Sequence, residues 1–132
     1  MVEVMVGFGL VEIYEFNDAE DGKDYYWNAS EGRRIADARN EIHAVSLGEA
    51  GMTTAMIRKL APDLDVRKAM AMHFRALLVP LLFVPHGGKH VLIDGWHRVY
   101  RASIAGIDEL PAWILTEQEA ASIRLEENPC TG

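Results

Sequence analysis

Residues 79–94, VPLLFVPHGGKHVLID, constrain the fold of this chain more than any other stretch. Two apolar runs of strand length flank Gly87-Gly88. Adjacent glycines supply the positive φ angles that a two-residue hairpin turn requires, so the pattern predicts a buried antiparallel hairpin. The return run, HVLID (90–94), ends in Asp94-Gly95. A helical stretch over 97–105 follows at once and closes on Gly106, where a C′ glycine belongs. IDELPAWIL then predicts a third strand with Pro111 at its start, and Thr116-x-x-Glu119 predicts a capping box at the head of a further helix. Strands and helices alternating this closely exclude an all-α or all-β chain. They predict an α/β (α+β) class, a small mixed sheet with flanking helices.

The front of the chain reads less sharply. VEVMV and LVEIYEF, on either side of Gly7-Phe8-Gly9, predict a β-hairpin. NDAEDGKD (17–24) is turn chemistry, and Tyr25-Tyr26-Trp27 predicts a strand or core plug. Ser30 is the expected N-cap of a helix whose inner face takes Ile35, Ala38 and Ile42. HAVSL (43–47) predicts a short strand. Thr53 or Thr54 heads TAMIRKL, which Pro62 stops, and Asp63 or Asp65 heads a helix from Val66 to Leu77, with Val66, Met70 and Phe74 on one face. The expected organisation is a single domain over 1–132, with 1–60 a divergent N-terminal part and 61–127 the core.

Composition excludes several classes. With 132 residues, 49% of them hydrophobic, the chain can bury one core. The apolar run 76–85 is interrupted by Pro80 and is too short to span a bilayer, so no membrane segment is expected. The first sixteen residues carry acids where a secretory signal needs bases. A lone cysteine, Cys130, precludes an intramolecular disulfide and suits a reducing, cytoplasmic setting. The net charge of −7 resides entirely in residues 1–50, which hold eleven Asp or Glu against four Lys or Arg. That balance opposes non-specific binding to nucleic acid and leaves two readings of the acidic half: a solvated surface, or a face for a basic protein partner.

The chemistry concentrates in Asp94-Gly95-Trp96-His97-Arg98. A strand that enters a helix through Asp-Gly presents the helix's first N–H groups, which attract an anion. Gly95 permits the turn and a close ligand approach. Arg98 offers a forked donor suited to phosphate, and Arg101 lies one turn further along. His97 can donate a hydrogen bond or exchange a proton near neutral pH. Asp94 can hold a metal ion or orient Arg98. Taken alone the junction also fits an ordinary turn with a surface salt bridge.

Residues 79–120, VPLLFVPHGGKHVLIDGWHRVYRASIAGIDELPAWILTEQEA, with the helix before them, resemble the nucleotide-binding domain shared by ParB partition proteins and sulfiredoxins; the likeness extends over about 62–126. The resemblance implies that Gly95, Trp96, His97, Arg98 and Arg101 bind the phosphates of a nucleoside triphosphate, ATP or CTP, often with Mg2+. It also implies catalytic roles for Asp94, His97 and Arg98 in hydrolysis or phosphoryl transfer, and a bacterial, plasmid or phage setting. Two departures narrow it. Sulfiredoxins carry cysteine where this chain has Trp96, so sulfinic acid reduction is not expected. Partition proteins use a G-E-R-R turn and continue into a helix-turn-helix, and no such segment is expected after Glu127. Free-amino-acid kinases of the superfamily match the turn best, but their further catalytic acids have no assigned place in residues 1–60. The alternatives are a non-enzymatic interaction module that kept the fold, and a nuclease.

Other clusters carry weaker signals. His86, His90 and His97 are spaced too loosely for zinc without a cysteine. Lys89 reads as a solvated turn lysine or a phosphate contact. Asp108-Glu109 reads as a solvated loop rather than a magnesium site, and Arg33-Arg34 as a charged helix face.

Overall fold

The computed structural model describes the backbone of residues 2–6 and 9–126, and side chains from 11 to 126. The Gly7-Phe8 part of the first turn and Cys130 lie outside the described residues. The class is mixed α+β, with five α-helices and two small sheets among the described residues. Among the described residues, no helix is long and apolar enough to cross a membrane. The chain divides into two compact units that it enters alternately. The first takes Met1–Glu41, Leu82–Asp94 and Ile114–Gly132; the second takes Ile42–Leu81 and Gly95–Trp113.

In the first unit, β1 (Val2–Val6), β2 (Gly9–Asn17) and β3 (Asp24–Asn28) form an antiparallel meander. A two-residue strand, β8 (Arg124–Leu125), closes the far edge of β3, giving the order β1-β2-β3-β8. Alternation sets the buried face: Tyr25 and Trp27 point in while Asp24 is exposed. Helix α1 (Ala29–Arg39) packs on β2, on β3 and on α5 (Glu117–Ile123). Its N-cap is Asn28, whose side chain accepts from the Glu31 N–H; Ser30, the expected cap, lies two residues on, inside the first turn, and accepts from the Glu12 N–H at 2.8 Å. The buried positions of α1 are Ala29, Gly32 and Ala36, not Ala38 and Ile42, because the helix ends at Arg39 and Asn40 turns left-handed. A Cβ on Gly32 would stand 3.0 Å from side-chain atoms of both Ile123 and Leu82, so small residues let the elements meet.

The hairpin of β5 (Leu81–His86) and β6 (Lys89–Asp94) turns on Gly87 and Gly88, both at positive φ, as the Gly-Gly pair predicts. Register shifts between Leu82 (opposite Asp94) and Phe83 (opposite Leu92), leaving Ile93 as the bulged residue. Leu82, Val84 and Ile93 are wholly buried. Thr116 and Glu119 form the reciprocal capping box of α5, and Arg39 binds Glu119 at 2.9 Å.

In the second unit, β4 (His43–Ser46) pairs antiparallel with β7 (Glu109–Ile114). Pro111 sits third in β7, opposite Ala44, rather than at its start. Thr53 caps α2 (Thr54–Leu60) and Asp65 caps α3 (Val66–Ala71). The helix expected from Val66 to Leu77 breaks after Ala71, and a 3-10 helix follows over Phe74–Leu78. His73 makes the break: its Nδ1 accepts from the Arg75 N–H and starts a new turn. The 3-10 helix stops because Val79 precedes Pro80, which disfavours helical backbone at Val79. Helix α4 (Trp96–Ala105) packs on α2, α3 and the 3-10 helix, and ends at Gly106 with φ 73°.

Candidate functional site

The residues singled out in the DGWHR stretch are divided between the two units. Asp94 ends β6 in the first unit. Its carboxylate takes an ion pair from Arg33 of α1 at 2.8 Å, and the same guanidinium nitrogen reaches Glu12 of β2 at 3.1 Å. Arg33 thus ties helix to sheet, whereas its neighbour Arg34 binds only along its own helix, to Glu31.

Gly95, Trp96, His97, Arg98 and Arg101 belong to the second unit, at the start of α4. Gly95 is the N-cap, with φ 111° and ψ 15°. It has no side chain to cap the helix, in contrast to Asn28, Thr53, Asp65 and Thr116, which each accept from the first turn of theirs. The field of the helix end therefore acts on whatever approaches it. A Cβ on Gly95 would lie 2.5 Å from Leu81 Cδ2 and 3.0 Å from Arg98 Nη2. The chain's own side chains fill that space, so glycine is required by packing as well as by φ.

Arg98 is only 8% exposed, the one charged residue buried among the described residues. Its Nη1 donates to the Val79 carbonyl at 3.2 Å. Burying a guanidinium costs several kcal/mol in general, and here the group stands at the positive end of a helix, where an anion would be stabilised. Arg101 lies over the Phe74 ring, 4.5 Å from its centroid, with its Nε buried and lacking a hydrogen bond. Trp96 is half-buried.

His97 is half-buried, and its Nε2 accepts from the Asp65 N–H at 3.3 Å. That bond places the ring proton on Nδ1. Burial, then the charge of Lys68, holds the imidazole below its ordinary pKa; Asp65 acts weakly the other way. A histidine with a depressed pKa in the folded state resists protonation there. On acidification from pH 6.5 the unfolded chain therefore takes up its proton first, and stability falls until the pH passes below the folded value. Urea denaturation between pH 7.5 and pH 5 checks this. His97→Gln, which keeps an acceptor for Asp65, is expected to flatten the wild-type slope below pH 6.5. An unchanged slope would remove His97 from the account.

The remaining candidates are structural. Asp108 accepts from Ser46 Oγ at 2.6 Å and the Gly48 N–H at 2.8 Å, which lowers its pKa and closes the loops around β4 and β7. Lys89 donates to Glu20 at 2.6 Å. His90 is exposed on β6.

One cluster was not legible from spacing. His86, at the end of β5, meets Asp18 and Asp21 of the β2–β3 turn, and one ligand atom from each lies within 4.8 Å of the others. The edges and faces of Phe16, Tyr25 and Trp27 surround the imidazole at 5.6, 4.3 and 5.7 Å between ring centres. A cavity of about 230 Å³ adjoins it, lined by Trp27, His86, Glu117 and Arg124 among others. All of these residues belong to the first unit. The only sequence hints are Asp18-x-x-Asp21-Gly22 and a histidine before Gly-Gly.

No family model, curated protein or solved structure matches this chain.

Proposed function

We propose that the second unit binds the phosphates of a nucleotide, ATP or CTP, at the start of α4. One observation carries the reading: α4 opens on a glycine that cannot cap it, with the buried guanidinium of Arg98 folded against that same glycine. A helix N-terminus and a fixed forked cation together favour a phosphate oxygen. The resemblance of residues 79–120 to the ParB/sulfiredoxin domain supports it independently. His97 Nε2 is engaged by the Asp65 N–H, which leaves it poorly placed as a general base, and hydrolysis or phosphoryl transfer rests on the resemblance.

Asp94, next to Gly95 in sequence, pairs with Arg33, Asp65 caps α3, and Asp108 serves Ser46 and Gly48, so these three carboxylates are engaged within the protein and no step is assigned to Mg2+.

Calorimetric titration with ATP, CTP and GTP, with and without Mg2+, tests the reading. One nucleotide is expected to bind, and Arg98→Lys, which keeps the charge but loses the fork, is expected to weaken it by roughly 10- to 100-fold, the value of a charge-assisted hydrogen bond. Circular dichroism verifies that the variant is folded. Silence with all three nucleotides sinks the proposal.

A second reading, a non-enzymatic interaction module, is favoured by a different observation. The exposed large hydrophobic residues among those described, Phe74 at 53% and Leu78 at 74% included, all fall in the second unit. That unit carries seven Lys or Arg against five Asp or Glu; the first carries six against fifteen. A partner using apolar anchors would meet the second unit rather than the acidic N-terminal half, where the protein partner is expected from charge alone.

A further inference from the structure

The geometry points to a divalent-cation site in the first unit, formed by Asp18, Asp21 and His86 and suited to zinc-class ions. It is independent of the phosphate reading, which concerns other residues in the other unit.

The three side chains come from the β2–β3 turn and from the last residue of β5. In the β2–β3 turn, the Asp18 carbonyl accepts from the Gly22 N–H at 2.9 Å, and the Asp18 N–H donates to the Lys23 carbonyl at 3.0 Å. One oxygen of each aspartate is used locally: Asp18 Oδ1 accepts from the Glu20 N–H and Asp21 Oδ1 from the Lys23 N–H. The other oxygens are directed away from those backbone groups. Asp18 Oδ2 lies 3.0 Å from His86 Nε2, and Asp21 Oδ2 accepts from the Tyr25 hydroxyl. Lys89 and Glu20 join the two turns from outside.

Three features separate this from a solvated acidic turn. First, the set is mixed: one imidazole nitrogen and two carboxylates, the nitrogen–oxygen donors that borderline divalent ions take. Second, His86 and Asp18 are largely withdrawn from water, at 18% and 14% side-chain exposure, and three aromatic rings fix the imidazole with Nε2 towards the carboxylates. A ligand held by packing loses little freedom when it binds. Third, the Lys23 N–H and the Tyr25 hydroxyl each donate to one oxygen of Asp21 and hold its carboxylate in place, the kind of support that ligating carboxylates ordinarily have.

The distances suit the proposal. Ligand atoms at roughly 2.0–2.2 Å from a zinc ion stand about 3.3–3.6 Å apart in a tetrahedron. Spacings within 4.8 Å reach that by small rotations of the two aspartates. The fourth position falls to water or to a small ligand, and His86 also lines the neighbouring 230 Å³ cavity, which has room for one.

Titration of the full chain with zinc chloride at pH 7.5, by calorimetry, tests the site, with manganese and magnesium chloride as comparators. One zinc ion per chain is expected, with magnesium much weaker. His86→Gln and Asp18→Asn are each expected to weaken zinc at least about tenfold, and His90→Gln, on an exposed residue outside the cluster, to leave it unchanged. Zinc is also expected to raise the melting temperature of the wild type and not of His86→Gln. Circular dichroism confirms that each variant is folded. No zinc binding by the folded wild type overturns the proposal, and so does binding that survives both cluster substitutions.

Discussion

Gly95→Ala is expected to cost about 3 kcal/mol of stability and to lower the melting temperature by roughly 10 °C. Two effects add at this one position. The residue holds φ at 111°, which an L side chain adopts only under strain. The new methyl group would also stand 2.5 Å from Leu81 Cδ2 and 3.0 Å from Arg98 Nη2. Neither neighbour yields cheaply: Leu81 is buried, and Arg98 is buried and bonded to the Val79 carbonyl. Thermal and urea denaturation read the loss. Leu81→Ala in the same chain should recover part of it by making room, although it costs stability alone. A Gly95→Ala chain within about 0.5 kcal/mol of wild type would mean that the turn relaxes, and that the glycine is not held there by packing.

Trp27→Ala is the second large expectation, about 3–5 kcal/mol. Trp27 is 2% exposed and stacks on Tyr25 at 6.0 Å and 15° between ring planes. It also meets His86 edge-on and lines the adjoining cavity. Its removal would merge the vacated volume with space already present, so little local collapse can offset the loss. Trp27→Phe, which retains a ring in β3, is expected to cost under half as much. Equal losses for the two variants would show that the indole's size, rather than an aromatic face against Tyr25 and His86, matters at this position. Urea midpoints at constant m-value provide the measurement.

Much of the fold was legible where local chemistry and global packing agree. Gly87-Gly88, Gly106 and the Thr116–Glu119 box each dictate one backbone geometry, and each adopts it. The misses occur where a distant or competing partner decides. Asn28 displaces Ser30 as the cap because the Ser30 hydroxyl is taken by the Glu12 N–H of a neighbouring strand. The periodicity of Val66, Met70 and Phe74 suggests one continuous helix, yet His73 offers its own nitrogen to the Arg75 N–H and restarts the chain as a 3-10 turn. Met70 and Phe74 then stand exposed. Pro111 lies within β7 because its register is set by β4, far back in the sequence.

The candidate sites divide the same way. The start of α4 was readable because Gly95 to Arg98 are consecutive; the partners that hold them, Val79 and Asp65, were not. The ion pair of Asp94 with Arg33 depends on a helix packing against a strand, and the meeting of Asp18 and Asp21 with His86 on a turn reaching the end of a strand in another sheet; no spacing rule supplies either.

The edge of β3 is closed by β8, with Tyr26 opposite Leu125 and Trp27 opposite Arg124. Pairing partners so far apart impose an order in time. A ribosome adds about 5–20 residues per second, so β3 leaves it roughly 5–20 s before β8 exists. During that interval the β1-β2-β3 meander can form from local contacts, but one side of β3 offers open backbone hydrogen-bonding groups to any other strand. The acids crowded into the neighbouring turn, Asp18, Glu20, Asp21 and Asp24, give nascent copies a reason to repel one another until the edge is covered.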